Sequence, residues 1–226
     1  MDSSCTICDR SVWTRTHSVL VGAFWKIGAF WWGRLVGGFL TMGRFNSNSE
    51  LLVCVRYWFL LIIAMGQSPK LIVFDLDYTL WPFWVDTHVD PPFRLDGNGK
   101  VWDAYGKHVD YYKDVPKILQ DLSKQGFKLG IASRTSAKEE AKKLVELFNW
   151  KHYFHYSEIY PGCKINHFKR FQQQSGLPFN QMLFFDDEYR NIRDVGSLGV
   201  TCIHAENGVS RSVIEEGLRT FALKNS

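Results

Sequence analysis

Asp75 and Asp77 stand two residues apart where the apolar run Leu71-Ile72-Val73-Phe74 ends. Two carboxylates this close are costly unless a cation compensates them or one of them keeps a proton. An aspartate so placed can act as a nucleophile and carry a phosphoryl group as an aspartyl-phosphate. Mg²⁺ suits the same pair, because it is held by one or two carboxylates while waters and a phosphate complete its shell. A short acidic pair also serves as a helix cap or lies in a solvated turn, so its use depends on what the rest of the chain brings to it.

The elements that must position the pair follow from hydrophobic pattern. A continuous apolar run at 71–74 is the mark of a central parallel strand buried on both faces, and ligands of open α/β sheets collect at the carboxyl ends of such strands. Apolar residues at helical spacing over 114–122 predict a helix that stops at Gly126, and 128–133 predicts a second strand. Ser136-Ala137-Lys138-Glu139 has the form of a capping box, opening a helix with Ala137, Ala141, Leu144, Leu147 and Phe148 turned inward. A helix over 165–174 closes at Gly176 and Pro178; a strand at 182–185, a short helix from Glu188, a strand at 200–204 and a helix over 210–224 complete the series. Strands alternating with helices imply an α/β fold: a three-layer, Rossmann-like parallel sheet with helices on both faces.

Further polar groups recur at the predicted strand ends. Ser133-Arg134-Thr135 follows the second strand, Lys164 opens the third helix, and Asp186-Asp187-Glu188 follows the strand at 182–185. The Ser133 hydroxyl can hydrogen-bond a phosphoryl oxygen, and amides of 133–136 lie at a helix N-terminus, which favours anions. Lys164 can keep Asp75 ionised and neutralise charge that builds up in phosphoryl transfer. Asp186 and Asp187 can complete a Mg²⁺ shell that shields an attacking carboxylate from a phosphate dianion. Singly these residues have ordinary uses, as helix caps or a surface lysine; in this order, all at strand ends, they describe a phosphate site.

Composition bounds the rest. The chain has 226 residues, 46% of them apolar, which suits one domain of ordinary size with an appendage. The net charge is +4, and six Lys/Arg against three Asp/Glu in residues 1–66 leave only +1 for residues 67–226. A part so nearly neutral lacks the clustered cations that a phosphate backbone requires, so no nucleic-acid partner is expected. Five cysteines, Cys5, Cys8, Cys54, Cys163 and Cys202, form no even framework, which points to a reducing, cytoplasmic setting. Cys5 and Cys8 make a C-x-x-C that no second pair completes into a zinc site.

Residues 1–66 form an aromatic, apolar extension with five of the nine Trp. Its two apolar stretches, 19–42 and 51–65, are interrupted by Lys26, Arg34 and Arg56, whereas a membrane span needs about 20 mostly apolar residues. Membrane contact by residues 18–65 is therefore the less favoured reading. Met65, just ahead of the first strand, makes a sensible start, and function is expected to begin there. Lys70 stands where a myristoylated Met65-Gly66 needs Ser or Thr.

The order Asp75-x-Asp77-x-Thr79, Ser133, Lys164, Asp186-Asp187 resembles the haloacid dehalogenase superfamily of phosphatases over residues 69–226. Three strings are similar to its magnesium-dependent phosphatase branch: Phe74-Asp75-Leu76-Asp77-Tyr78-Thr79-Leu80-Trp81-Pro82, Ala132-Ser133-Arg134-Thr135 and Phe184-Phe185-Asp186-Asp187-Glu188. Residues 1–64 have no counterpart there. The resemblance implies a phosphoric monoester hydrolase with Mg²⁺ as cofactor, acting on protein phosphotyrosine or on phosphorylated small molecules such as fructosamine 6-phosphates. It makes Asp75 the nucleophile and a metal ligand. Asp77 becomes the acid that protonates the leaving oxygen and then the base that activates water, its backbone carbonyl also on the metal. Leu76 through its amide, Asp77, Ser133, Arg134 and Lys164 hold substrate phosphate; Asp187 contacts the metal and Asp186 orients from behind it.

Loop lengths speak to substrate access. Residues 81–132 separate Leu80 from Ser133 and residues 134–163 separate Ser133 from Lys164; once their helices and strands are taken out, neither holds the 50 or so residues of a separate cap domain. The site is expected to be capless and open, with a small flap from 81–108 turning at Asp96-Gly97-Asn98-Gly99. Of the flap aromatics, Trp84 is the ring expected to touch a sugar or a phosphotyrosine, while Trp102, Tyr105, Tyr111 and Tyr112 pack the flap onto the sheet and His88 and His108 lie on the surface. Two other functions fit less well: a nucleic-acid end phosphatase and a membrane-associated adaptor without enzymatic activity. A dehalogenase fits least, since Asp77 has no task when the leaving group is a halide.

Overall fold

The computed structural model describes residues 68–225. The extension assigned to 1–66, its C-x-x-C and the membrane reading of 18–65 lie outside the described residues; among those described, no helix is long and apolar enough to cross a membrane. The elements run β1 (Leu71–Phe74), β2 (Arg94–Leu95), β3 (Val101–Trp102), β4 (His108–Val109), α1 (Val115–Lys124), β5 (Lys128–Ser133), α2 (Lys138–Leu147), β6 (Phe154–Ile159), α3 (Lys164–Ser175), β7 (Met182–Asp186), α4 (Tyr189–Gly196), β8 (Thr201–His204) and α5 (Arg211–Lys224).

Five strands form one parallel sheet in the order β6-β5-β1-β7-β8. All four β1 side chains are buried, and their alternation explains the three layers. Ile72 and Phe74 join Ile118, Leu119, Leu144, Ile214 and Phe221 on the side of α1, α2 and α5. Leu71 and Val73 join Phe168, Phe171 and Val195 on the side of α3 and α4. Burying each such chain is worth about 1.5–3 kcal/mol, so a strand apolar at every position is stable only between two helix layers. The chain runs outward from β1 through β5 to β6 and then returns to lay β7 on the other side of β1. The crevice between β1 and β7 is the switch point where sheets of this kind bind ligands.

Helix ends follow the sequence in part. Gly126 takes φ +84° beyond α1 and Gly176 takes φ +71° at the end of α3, the left-handed conformation that glycine reaches without strain. The capping box expected at Ser136 does not form. The Ser136 hydroxyl donates to Asp86 of the flap at 3.3 Å, and Thr135 Oγ1 instead accepts the Ala137 amide at 3.2 Å. Strand β6 was not anticipated: it is a sheet edge, and its outer positions carry His155 and Ser157, so it lacks the apolar run of β1. Gly217 allows α5 to close on the sheet, since a Cβ there would meet the Phe185 ring at 2.5 Å.

The flap is a three-stranded antiparallel sheet, β2-β3-β4. Both its turns are closed by an aspartate. Asp96 Oδ1 accepts the amides of Asn98 and Lys100 at 2.8 and 2.9 Å, and Asp103 Oδ1 accepts those of Tyr105 and Lys107 at 2.9 and 2.8 Å. The turn at 96–99 is the one expected from sequence, and no separate cap domain stands over the sheet among the described residues.

Candidate active site

Asp75 follows the last residue of β1 and Asp186 ends β7, on the two sides of the switch-point crevice. Lys164, the first residue of α3, sends its ammonium between them: Nζ is 2.7 Å from Asp75 Oδ1 and 2.5 Å from Asp186 Oδ2. All three are buried, Lys164 at 1% exposure, so the surface role that lysine usually plays is ruled out. Burial opposes the Lys164 charge, yet the two carboxylates outweigh it and raise the pKa. Asp75 is pushed well above the usual carboxylate range by burial above all, which Lys164 opposes and Asp186 reinforces.

Asp187 completes the cluster, and one oxygen from each of Asp75, Asp186 and Asp187 lies within 4.8 Å of the others. Burial and then Asp186 push Asp187 up to about 6. Both oxygens of Asp186 are occupied by protein donors: Oδ1 by the Glu188 amide at 2.8 Å and Asn191 Nδ2 at 3.0 Å, Oδ2 by Lys164. Asp75 and Asp187 are left to offer oxygens elsewhere. One ammonium faces three carboxylates, so the cluster carries surplus negative charge in a set of hard oxygen donors. That is what a divalent cation such as Mg²⁺ requires.

Asp77 sits on a tight turn in which the Leu76 carbonyl accepts the amides of Thr79 and Leu80 at 3.2 and 2.8 Å and Tyr78 takes φ +52°. Its Oδ1 accepts the Trp81 indole N–H at 2.7 Å and the Val85 amide at 3.3 Å. Trp81 is fully buried and stacks on Phe83 and Trp150, so the carboxylate is tied to the core with its second oxygen left over. Burial pushes Asp77 up to about 6, against the pull of the Trp81 bond. It can therefore hold a proton where an exposed aspartate has lost it.

Ser133 ends β5 and is buried. Its Oγ accepts the Thr135 amide at 3.3 Å, which leaves the hydroxyl proton for another acceptor. Arg134 Nη1 contacts Glu188 Oε2 and Asn191 Oδ1, each at 3.2 Å; its buried Nε has no partner among the described residues. Trp84 stands on the flap side, 49% exposed. Its ring stacks on His88 at 5.3 Å and meets Tyr78 edge-on at 5.3 Å. His88 is thus not a plain surface residue, since its Nδ1 also accepts the Trp84 amide at 3.1 Å.

Three residues in contact with these groups were given no role by the sequence: Trp81 beside Asp77, Asn191 beside Asp186 and His167 at the Ser133 carbonyl. Trp81 falls at the start of the expected flap and in the string shared with the phosphatase branch, neither of which gives it a contact, and Asn191 is one polar residue of a short helix. His167 reads as a lone histidine among basic residues. Only the spacing Asp186 to Asn191, one turn past the acidic pair, gave a signal.

The raised pKa values of Asp77 and Asp187 carry a sign. Between about pH 4 and 6 the fold holds protons that the unfolded chain has released, so their contribution to stability is full below the unfolded value of 3.8 and is lost as pH rises through about 6. At Asp187, whose carboxylate belongs to the acidic cluster, a divalent cation competes with that proton. Thermal stabilisation by added Mg²⁺ is therefore expected to be slight near about pH 5 and to grow by about pH 7.5, measured by scanning fluorimetry. Equal shifts at both pH values would mean that the Asp187 carboxylate does not meet the ion.

Comparison with known proteins identifies the family. The pattern of the acid phosphatase family matches residues 67–224. Magnesium-dependent phosphatase 1 of Homo sapiens is 57% identical over 158 residues, covering 70% of this chain and 90% of that protein. An HAD-like hydrolase superfamily protein of Schizosaccharomyces pombe is 44% identical over 146 residues, covering 60% of this chain and 84% of that one. Among solved structures, a Bacteroides fragilis fragment containing a phosphatase domain, complexed with Mg, has a TM-score of 0.50 at 16% identity and covers 77% of this chain and 44% of that chain. At that identity the likeness speaks for the fold alone.

Proposed function

The chain belongs to the acid phosphatase family, in the magnesium-dependent branch of the haloacid dehalogenase superfamily, and from that premise we propose that it hydrolyses phosphate monoesters through an aspartyl-phosphate on Asp75. The observation that supports this most is the buried contact of Lys164 with Asp75 and Asp186, which leaves one Asp75 oxygen for attack.

The substrate phosphate is held by the Ser133 hydroxyl, the Leu76 amide, Arg134 and Lys164. Asp75 attacks phosphorus, the bond to the leaving oxygen breaks, and Asp77 donates its proton to that oxygen. Asp77, now charged, takes a proton from water as that water attacks the aspartyl-phosphate; inorganic phosphate leaves and Asp75 is restored. The Trp81 and Val85 bonds to Oδ1 direct the other Asp77 oxygen to both transfers. Asp75, Asp187 and the Asp77 backbone carbonyl would hold Mg²⁺, with Asp186 orienting them, and the ion would supply the positive charge that shields a phosphate dianion from the attacking carboxylate.

For the substrate, the open site and the half-exposed Trp84 face favour a partner with a surface to lay on the indole, the ring of a protein phosphotyrosine or the C–H face of a sugar phosphate such as fructosamine 6-phosphate. The near balance of charge over 67–226 lends no support to nucleic-acid ends. Stacking of this kind is worth about 0.5–1.5 kcal/mol, so Trp84→Ala should lower kcat/KM up to about tenfold on whichever of a phosphotyrosine peptide and fructosamine 6-phosphate is preferred. Unchanged kcat/KM on both would remove Trp84 from the substrate site.

A further inference from the structure

One buried titratable side chain near the site takes no part in this chemistry. His167 lies three residues beyond Lys164 on α3, on the same face of the helix, and is fully buried. Its Nε2 is 3.0 Å from the Ser133 carbonyl oxygen and 3.0 Å from that of Tyr160. Nδ1 lies 3.3 Å from the Cys163 carbonyl. Burial lowers its pKa against the three carbonyls, which raise it, and a neutral imidazole has a single N–H to give. Two carbonyls at 3.0 Å fix that proton on Nε2, where it is shared between them.

The shared N–H ties three segments together. Ser133 is the last residue of β5, and its carbonyl also accepts the Tyr160 amide at 3.1 Å. Tyr160 follows β6, and its ring lies over the imidazole at 4.0 Å and 16°. It is braced in turn by Glu158, which accepts Gln174 Nε2 at 2.7 Å. The third segment is the first turn of α3, which carries Lys164.

We infer that His167 is a positioning residue, which sets the Ser133 hydroxyl against the substrate phosphate by clamping the Ser133 and Tyr160 carbonyls to the helix that bears Lys164. The inference rests on the phosphatase reading above, with Ser133 as a phosphate donor. Two features argue that the clamp serves geometry. Ser133 Oγ already accepts the Thr135 amide, so its direction depends on where the main chain is held. A buried histidine with two carbonyls is also an unusual way to fill a core position that Leu or Phe fills without polar cost.

The test uses the full chain with Mg²⁺, p-nitrophenyl phosphate as substrate and inorganic phosphate as inhibitor. His167→Leu is expected to raise the KM and the phosphate inhibition constant together by about tenfold, with a smaller fall in kcat. His167→Gln, whose amide can donate to the same carbonyls, should return both to within about threefold of wild type. If His167→Leu does not fold, His167→Asn, too short to reach the carbonyls, takes its place with the same expectation.

A merely structural histidine would lower the melting temperature and leave the phosphate inhibition constant unchanged below it, which would overturn the inference. Ser133→Ala separates the two levels. In its background His167→Leu should add little to the inhibition constant, because both act through one hydroxyl; full additivity would also overturn the inference. An unchanged constant in Ser133→Ala alone would overturn the phosphate role of Ser133 itself.

Discussion

Replacing Asp75 by Asn should lower turnover of p-nitrophenyl phosphate by about 10⁴-fold or more, a barrier increase of about 5.5 kcal/mol, while leaving the fold intact. The amide keeps the volume of the carboxylate, and its oxygen can still accept from Lys164, but it is neutral and a poor nucleophile. The stability change should run the other way. One ammonium serves three clustered carboxylates, so removing one negative charge relieves repulsion in the protein without metal. Its melting temperature at about pH 7.5 should match or exceed that of the native chain, as is common when a strained catalytic group is replaced. Initial rates and scanning fluorimetry measure both. Activity within tenfold of wild type would remove Asp75 as the nucleophile, and a large loss of stability would mean that the charge surplus has been misjudged.

Lys164→Met should be the most damaging single change to the fold of the site. Methionine fills much of the same space, yet it leaves Asp75 and Asp186 buried without their shared cation. Removing one partner of a buried pair costs about 3–5 kcal/mol, or a fall in melting temperature of roughly 10 °C for a domain of this size. The loss should shrink toward about pH 5, where the carboxylates can neutralise themselves by taking up protons. Phosphatase activity should vanish with it, since Lys164 is also placed to hold the substrate phosphate. A melting temperature that did not move at about pH 7.5 would show that the ammonium is not needed to hold the two carboxylates together.

What could be read in the sequence and what could not divide along physical lines. β1 and β7 are apolar at consecutive positions, a pattern that only a strand covered on both faces satisfies, and the groups beyond their ends were placed from that alone. β6 is an edge strand, so its alternation is partly polar and resembles a loop. Lys164 could be assigned a charge but not its burial, because a lysine is almost always exposed unless paired and its partners come from β1 and β7. Asn191, Trp81 and His167 were invisible for the same reason: each acts through a group brought near only by the finished sheet. The Ser136 capping box failed because the helix begins at Lys138 with Ala137 as its N-cap, one residue past the register the box requires, while the Ser136 hydroxyl donates to Asp86 50 residues earlier. Local rules gave the elements, and contacts between distant segments decided which polar groups act.

Asp96 and Asp103 close the two turns of the flap with bonds internal to each turn, and residues 94–109 thereby carry their own architecture. None of the carboxylates, hydroxyls or cations assigned to phosphoryl transfer lies within them. Sequence drift within 94–109 is therefore free to proceed while Asp75, Ser133, Lys164 and Asp186 stay where β1, β5, α3 and β7 put them. The part of the flap before it, 81–93, is different: Trp81 and Val85 hold Asp77 there, so change within 94–109 leaves the catalytic carboxylates untouched while change at 81–85 does not.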